Sequence, residues 1–176
     1  HLLKDNERSL ALLHEATMMS RCQFPIDFDE GVLFDLPHLG NLRRATRLLQ
    51  VEAEVAAYDG RIDDITQCID QMFRLADAAR NDPAIISLLV RISIDALATD
   101  TLERLMCDRD FNDAQLAAME KSLSRRRVHD GFVRALIGEQ SLALANKESP
   151  WGHPVIRVSG LFVRDKLAYL QLMADV

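Results

Sequence analysis

The sequence predicts an all-α fold, and three observations carry that prediction. Of the 176 residues 48% are apolar but only 6% aromatic, so Leu, Ala, Ile and Val supply most of the core-forming share, a mixture that favours helix over sheet. Apolar residues recur at intervals of three and four in one segment after another. Between those segments stand helix-ending and helix-starting residues such as Asp59-Gly60 and Asn81-Asp82-Pro83. The expected architecture is about seven helices arranged as antiparallel hairpins in a single domain over 1–176, with irregular connecting segments at 21–36 and 147–160.

The elements follow in order. A first helix runs from about Asn6 to Ser20, with Leu10, Leu13, Ala16 and Met19 on one face. The stretch CQFPIDFDEG, Cys22 to Gly31, interrupts it. Pro37 opens a second helix carrying Leu39, Leu42, Ala45, Leu48 and Leu49 toward Tyr58, and Gly60 ends it, since glycine tolerates the left-handed conformation. Asp63 is expected to cap a third helix whose Ile65, Ile69, Met72, Phe73 and Ala76 make an amphipathic stripe, leaving Arg61, Asp64, Gln67, Asp70 and Arg74 outward. Asp82 is expected to cap a fourth helix from Pro83 to about Cys107. That helix contains IISLLVRISIDALA, apolar on nearly every side, as a helix packed on more than one face would be. Asn112 or Asp113 caps a fifth helix through Leu116, Met119 and Leu123, and a sixth runs from about Gly131 to Ala145. A last helix begins near Leu161.

Charge and cysteine content narrow the function classes. The net charge is −6, which argues against a nucleic-acid surface, because phosphate binding needs clustered Lys and Arg in excess of nearby acids. The halves differ: residues 1–120 hold 12 basic against 22 acidic side chains, and residues 121–176 hold 9 against 5. Such asymmetry can orient a partner or another copy of the chain. Cys22, Cys68 and Cys107 are odd in number and far apart, which disfavours a disulfide framework or a structural zinc, and Cys68 and Cys107 are expected as buried small hydrophobes. No apolar run reaches the length of a membrane span. The chain starts with His1 and ends at Val176 within an amphipathic pattern, so it is expected to be part of a longer protein.

Several residues are candidates for chemistry. Asp27, Asp29 and Glu30 beside Gly31 supply the hard oxygens a calcium ion wants, yet counted from Asp27 the helix-loop-helix calcium pattern breaks at Gly31, Val32 and His38. Phe24, Ile26 and Phe28 alternate through the same stretch and would form an apolar edge, with Cys22 on the same parity. His38, with Asp27 or Asp35, would make an acid-base dyad, and Arg43 and Arg47 follow it on the second helix as anion or partner contacts. Arg91 and Asp95 stand at i, i+4 spacing inside the apolar fourth helix and are expected to pair with each other, or with Glu52 or Glu54. Arg125, Arg126 and Arg127 complement the dipole at a helix C-terminus. Trp151, the sole tryptophan, is a candidate binding anchor. No metal or cofactor is expected from these patterns.

Two resemblances add to this reading. LLQVEAEVAAYDGRIDDITQCIDQMFRLADAARNDP, Leu48 to Pro83, resembles one tetratricopeptide-type hairpin, although Ile65 and Ile69 stand where that motif has alanine. CQFPIDFDEG, LPHLGNLRRATRLL and ISLLVRISIDALA together resemble an uncharacterised bacterial family of helical proteins, over about 10–175, many of which carry an N-terminal membrane segment. That resemblance implies a helical fold and a place in the cell envelope, and it implies no catalytic residues. The function expected is a protein-interaction or scaffolding module for an unknown protein partner, or for a second copy of the chain. The alternative is a small-ligand-binding protein or hydrolase with a pocket near Asp27, His38 and Arg91.

Overall fold

The computed structural model describes residues 2–26, 36–126 and 129–145. All regular structure among these residues is helical: α1 Leu2–Asp5, α2 Glu7–Thr17, α3 Pro37–Tyr58, α4 Ile62–Ala78, α5 Ile85–Asp108, α6 Asp113–Ser124 and α7 His129–Ala145. The all-α class is therefore as the sequence predicts. Segment 147–160 and the helix expected from Leu161 lie outside the described residues.

Several helix boundaries have a local cause. Asn6 separates α2, the first expected helix, from the short α1 that precedes it, and its side-chain amide donates to the Leu2 carbonyl at 2.9 Å. Pro37 occupies the first turn of α3, where a missing N–H costs nothing. At the other end Gly60 takes φ 75°, and the Arg61 N–H donates to the Ala56 carbonyl at 2.8 Å while the Gly60 N–H donates to that of Ala57 at 3.1 Å. These crossed bonds satisfy carbonyls that the helix end would leave open. Asn112 caps α6 reciprocally with Gln115, each side chain accepting from the other's backbone N–H at 2.9 Å.

Two expected caps are corrected. Asp63 lies inside the first turn of α4, which starts at Ile62, and it accepts from Gln115 Nε2 at 2.7 Å, tying α4 to α6. Asp82 does not cap α5. The residue before that helix is Ala84, which has no side-chain oxygen to offer, and the Ile85 N–H instead donates to Glu139 Oε1 of α7 at 3.0 Å. A carboxylate from another helix thus meets the positive end of α5.

α3, α4 and α5 make the centre of the bundle. Ala53 and Ala56 on α3, Ala76 on α4 and Ala98 on α5 are fully buried, and side chains this short let helix axes approach closely. Leu49, Ile65, Ile69, Met72 and Ile94 fill the space between. α2 lies across α3 and α4, α6 packs on α4, and α7 packs on α5. The near-uniform apolarity of α5 is only partly used: Val90, Ile94, Ala98, Leu102 and Leu105 are buried, whereas Ile86, Leu89 and Ile92 are exposed. Cys68 is buried as expected, but Cys107 is exposed, because it lies on the opposite side of α5 from Leu102 and Leu105. No helix among the described residues is long and apolar enough to cross a membrane.

α7 approaches the turn before α5 so closely that a Cβ on Gly138 would stand 1.8 Å from the Pro83 carbonyl oxygen. Gly138→Ala is therefore expected to destabilise the bundle by about 1–3 kcal/mol through overpacking. Urea denaturation checks this, and an unchanged midpoint with an unchanged slope would count against the contact.

Candidate functional site

A cleft of about 540 Å³ opens where α2, the segment 18–26, α3, α4 and the end of α6 meet. Its apolar wall comes from Leu13 of α2, Phe24, Leu42 of α3, and Phe73 and Leu75 of α4. Polar groups converge on the same space: His38 and Asn41 from α3, Asp70, Arg74 and Asp77 from α4, and Ser122, Arg125 and Arg126 from α6 and its end. An apolar chamber with a few placed polar groups is the usual form of a small-molecule site.

α2 is held over the cleft by polar contacts. Arg74 donates through Nε to Asp70 Oδ2 at 2.6 Å and through Nη1 to the carbonyl of Thr17, the last residue of α2, at 3.4 Å. A cation at that end of the helix also complements its dipole. Further along α2, each ring nitrogen of His14 meets a side-chain oxygen, Nδ1 at 2.9 Å from Gln71 Oε1 and Nε2 at 3.2 Å from Glu52 Oε1. An imidazolium donates to both, while a neutral ring satisfies both only with the Gln71 amide turned to present its nitrogen.

The back of the cleft is an ion network that joins three elements. Arg126 donates through Nη1 to Asp77 Oδ2 at 2.8 Å and to the Phe73 carbonyl at 3.2 Å, and through Nη2 to Asp95 Oδ1 of α5. Its guanidinium carbon lies 5.1 Å from the centroid of the Phe73 ring, within cation–π reach. Behind it Arg91, with only 4% of its side chain exposed, sits 3.6 Å from Asp77. Burial raises the Asp95 carboxyl above its ordinary range against the opposing charges of Arg126 and Arg91, and burial lowers Arg91 against those of Asp77 and Asp95. At Asp70 desolvation is outweighed by hydrogen bonds from Ser122, whose Oγ donates at 2.7 Å, and Arg74, so its carboxyl lies below the usual range.

At the other side of the cleft His38 is almost fully buried and its Nε2 lies 2.7 Å from Asp82 Oδ2. The Phe24 ring stacks on the imidazole, centroids 4.1 Å apart and planes within 12°. Cys22 shares this corner. Desolvation and then the Asp82 charge push its thiol up, which keeps it protonated and works against a thiolate nucleophile. The arrangement orients one imidazole on a carboxylate, as acid-base and purely structural pairs both do. Among the described residues no group of three or more His, Cys, Asp or Glu side chains is placed to hold a metal ion.

Neither protein-family models nor curated proteins match the sequence, and no solved structure matches the fold. The assignment of function therefore rests on this geometry.

Of the residues singled out by sequence, His38 lines the cleft, and among the described residues its acidic partner is Asp82. Asp27, Asp29, Asp35, Phe28, Arg127 and Trp151 lie outside the described residues. Arg43 and Arg47 are exposed, and Arg47 lines a separate groove with Leu2, Leu12 and Leu48 between α1, α2 and α3. Asp95 is bonded to Arg126 and Arg91 stands near Asp77, so the expected i, i+4 pair acts through charge, without a direct bond, inside a four-membered network. Glu52 and Glu54 serve elsewhere, on His14 and Arg104. Arg126 is not a surface cation at the end of α6; only 11% of its side chain is exposed. Its role was not legible locally, because Asp77 and Asp95 belong to other helices. The sequence signal for Asp77 was weaker still, since it follows an outward-facing acidic series on α4.

Arg126→Met is expected to cost about 3 kcal/mol, because Asp95 is left buried without its bonded partner, and Asp95→Leu in the same chain should recover much of that loss. Urea unfolding of the two single variants and the double variant measures the coupling. For Asp70, whose folded value is depressed, the stabilising contribution is present above the unfolded carboxylate range of about 3.9 and disappears as pH falls through the lower folded value. The stability difference between the native chain and Asp70→Asn should accordingly be open at pH 7 and close below about pH 4; a difference independent of pH would contradict it.

Proposed function

We propose that this chain is a small-ligand-binding module and that the cleft between α2, α3, α4 and α6 holds the ligand. One observation carries the reading: apolar side chains of four segments and polar groups of three helices face a single volume of about 540 Å³, within the range such sites occupy. The His38 and Asp82 pair gives this volume a fixed hydrogen-bonding group, and the Arg126 network keeps its back wall rigid.

A second reading, a protein-interaction scaffold, is supported by the central helices. α3 and α4 form a hairpin turning at Gly60, and α5 packs against both, the order in which helices of tetratricopeptide-like arrays stack. Exposed Ile86 and Leu89 on α5, with Phe132 and Ile137 on α7, give that reading a surface.

Nile red, a neutral apolar fluorophore, separates the two. It should bind saturably, and Asn41→Trp, which places an indole in the cleft from an exposed position of α3, should abolish the signal while Leu12→Gln in the separate groove leaves it intact. Binding that survives Asn41→Trp, or none at all, would remove the ligand reading and leave the scaffold.

A further inference from the structure

The cleft is basic in a chain that is acidic. The protein carries a net charge of −6, yet four arginines, Arg21, Arg74, Arg125 and Arg126, line this volume against two aspartates, Asp70 and Asp77. The distribution of partners sharpens the contrast. Arg74 is committed to Asp70 and to the end of α2, and Arg126 is committed to Asp77 and Asp95. Asp70 is held in its ionised form, so the Arg74 charge is matched at neutral pH. Arg21 and Arg125 remain, both exposed and both lining the cleft; neither forms a hydrogen bond or ion pair among the described residues, although the charge of Arg125 also acts on Asp70, whose bonds go to Arg74 and Ser122. Two guanidiniums without a hydrogen-bonded or ion-paired partner among the described residues, beside a low-dielectric wall, create a local positive potential, which a water-filled surface far from apolar groups would screen.

From this balance, and resting on the ligand-binding reading above, we infer that the cleft takes an amphipathic anion: an apolar body with a carboxylate or phosphate head. The body lies against Leu13, Phe24, Leu42 and Phe73, and the head meets Arg21 and Arg125. Guanidinium groups suit this role because their planar fork donates two parallel hydrogen bonds to a carboxylate or phosphate. A neutral ligand would offer neither guanidinium an opposite charge, and a cationic one would be repelled. The committed arginines contribute differently. Their charge is spent inside the protein, so they shape the wall and do not attract the ligand.

The test is displacement of Nile red by four eight-carbon probes: octanoate, octyl phosphate, 1-octanol and octylammonium. Octanoate or octyl phosphate should displace the dye at a concentration about tenfold below that of 1-octanol, a margin in keeping with two partly desolvated charge-assisted contacts, and octylammonium should be the weakest. Whichever of the first two is stronger identifies the head group. The double variant Arg21→Gln, Arg125→Gln should bring the anions to within about twofold of 1-octanol without altering displacement by the alcohol, and raised salt should narrow the gap in the native chain. If 1-octanol equals the anions, or the double variant keeps their advantage, the inference fails while the cleft remains a ligand site. If the dye does not bind in the cleft at all, the underlying reading fails with it.

Discussion

The organisation of this molecule turns on one guanidinium in a nearly dry junction. Arg126 follows α6, but its bonds run to α4 through Asp77 and the Phe73 carbonyl and to α5 through Asp95. Without it, Asp95 would lose its bonded partner in a largely buried position. The directions of proton affinity show the tension: burial disfavours the ionised form of both Asp95 and Arg91. A hydrophobic junction of the same shape would avoid that desolvation cost, so such networks are weak evidence of stability. What this one supplies is direction. Its bonds run from the end of α6 to both α4 and α5, at the back of the cleft.

The three central helices were readable in the sequence because they depend on information within one helix. The stripe of Ile65, Ile69, Met72 and Phe73 needs only the helical period, and Asp59-Gly60 needs only the steric freedom of glycine. Asn112 was legible for the same reason, since its partner Gln115 is three residues away. Capping by Asp82 was the natural expectation from its position before a proline. It failed because a more distant claim was stronger: His38, 44 residues earlier in the chain, takes the carboxylate.

The candidate site followed the opposite rule. His38 was visible as a polar residue at a helix start, but its acid was sought nearby in sequence, while the fold supplies it from the turn between α4 and α5. Arg91 and Asp95 were visible as charges in an apolar run, yet their spacing suggested a mutual pair. Asp95 instead meets a cation that enters from outside the helix. Periodicity reports which side of a helix is buried. It does not report which charges from other helices arrive on that side, and the ion network at the back of the cleft is built from such arrivals.

The bond from the Ile85 N–H to Glu139 also sets an order of events during synthesis. Chains emerge from the ribosome N-terminus first and their domains fold as units while they do so. The first turn of α5 is therefore exposed well before the carboxylate that will satisfy it has been made, 54 residues later. Until then α3, α4 and α5 can assemble on their apolar faces, but the positive end of α5 is left to water. The arrival of α7 completes that end and brings Gly138 onto the Pro83 carbonyl in the same step, so the central layer reaches its final form only when the chain has been translated through the helix that closes it.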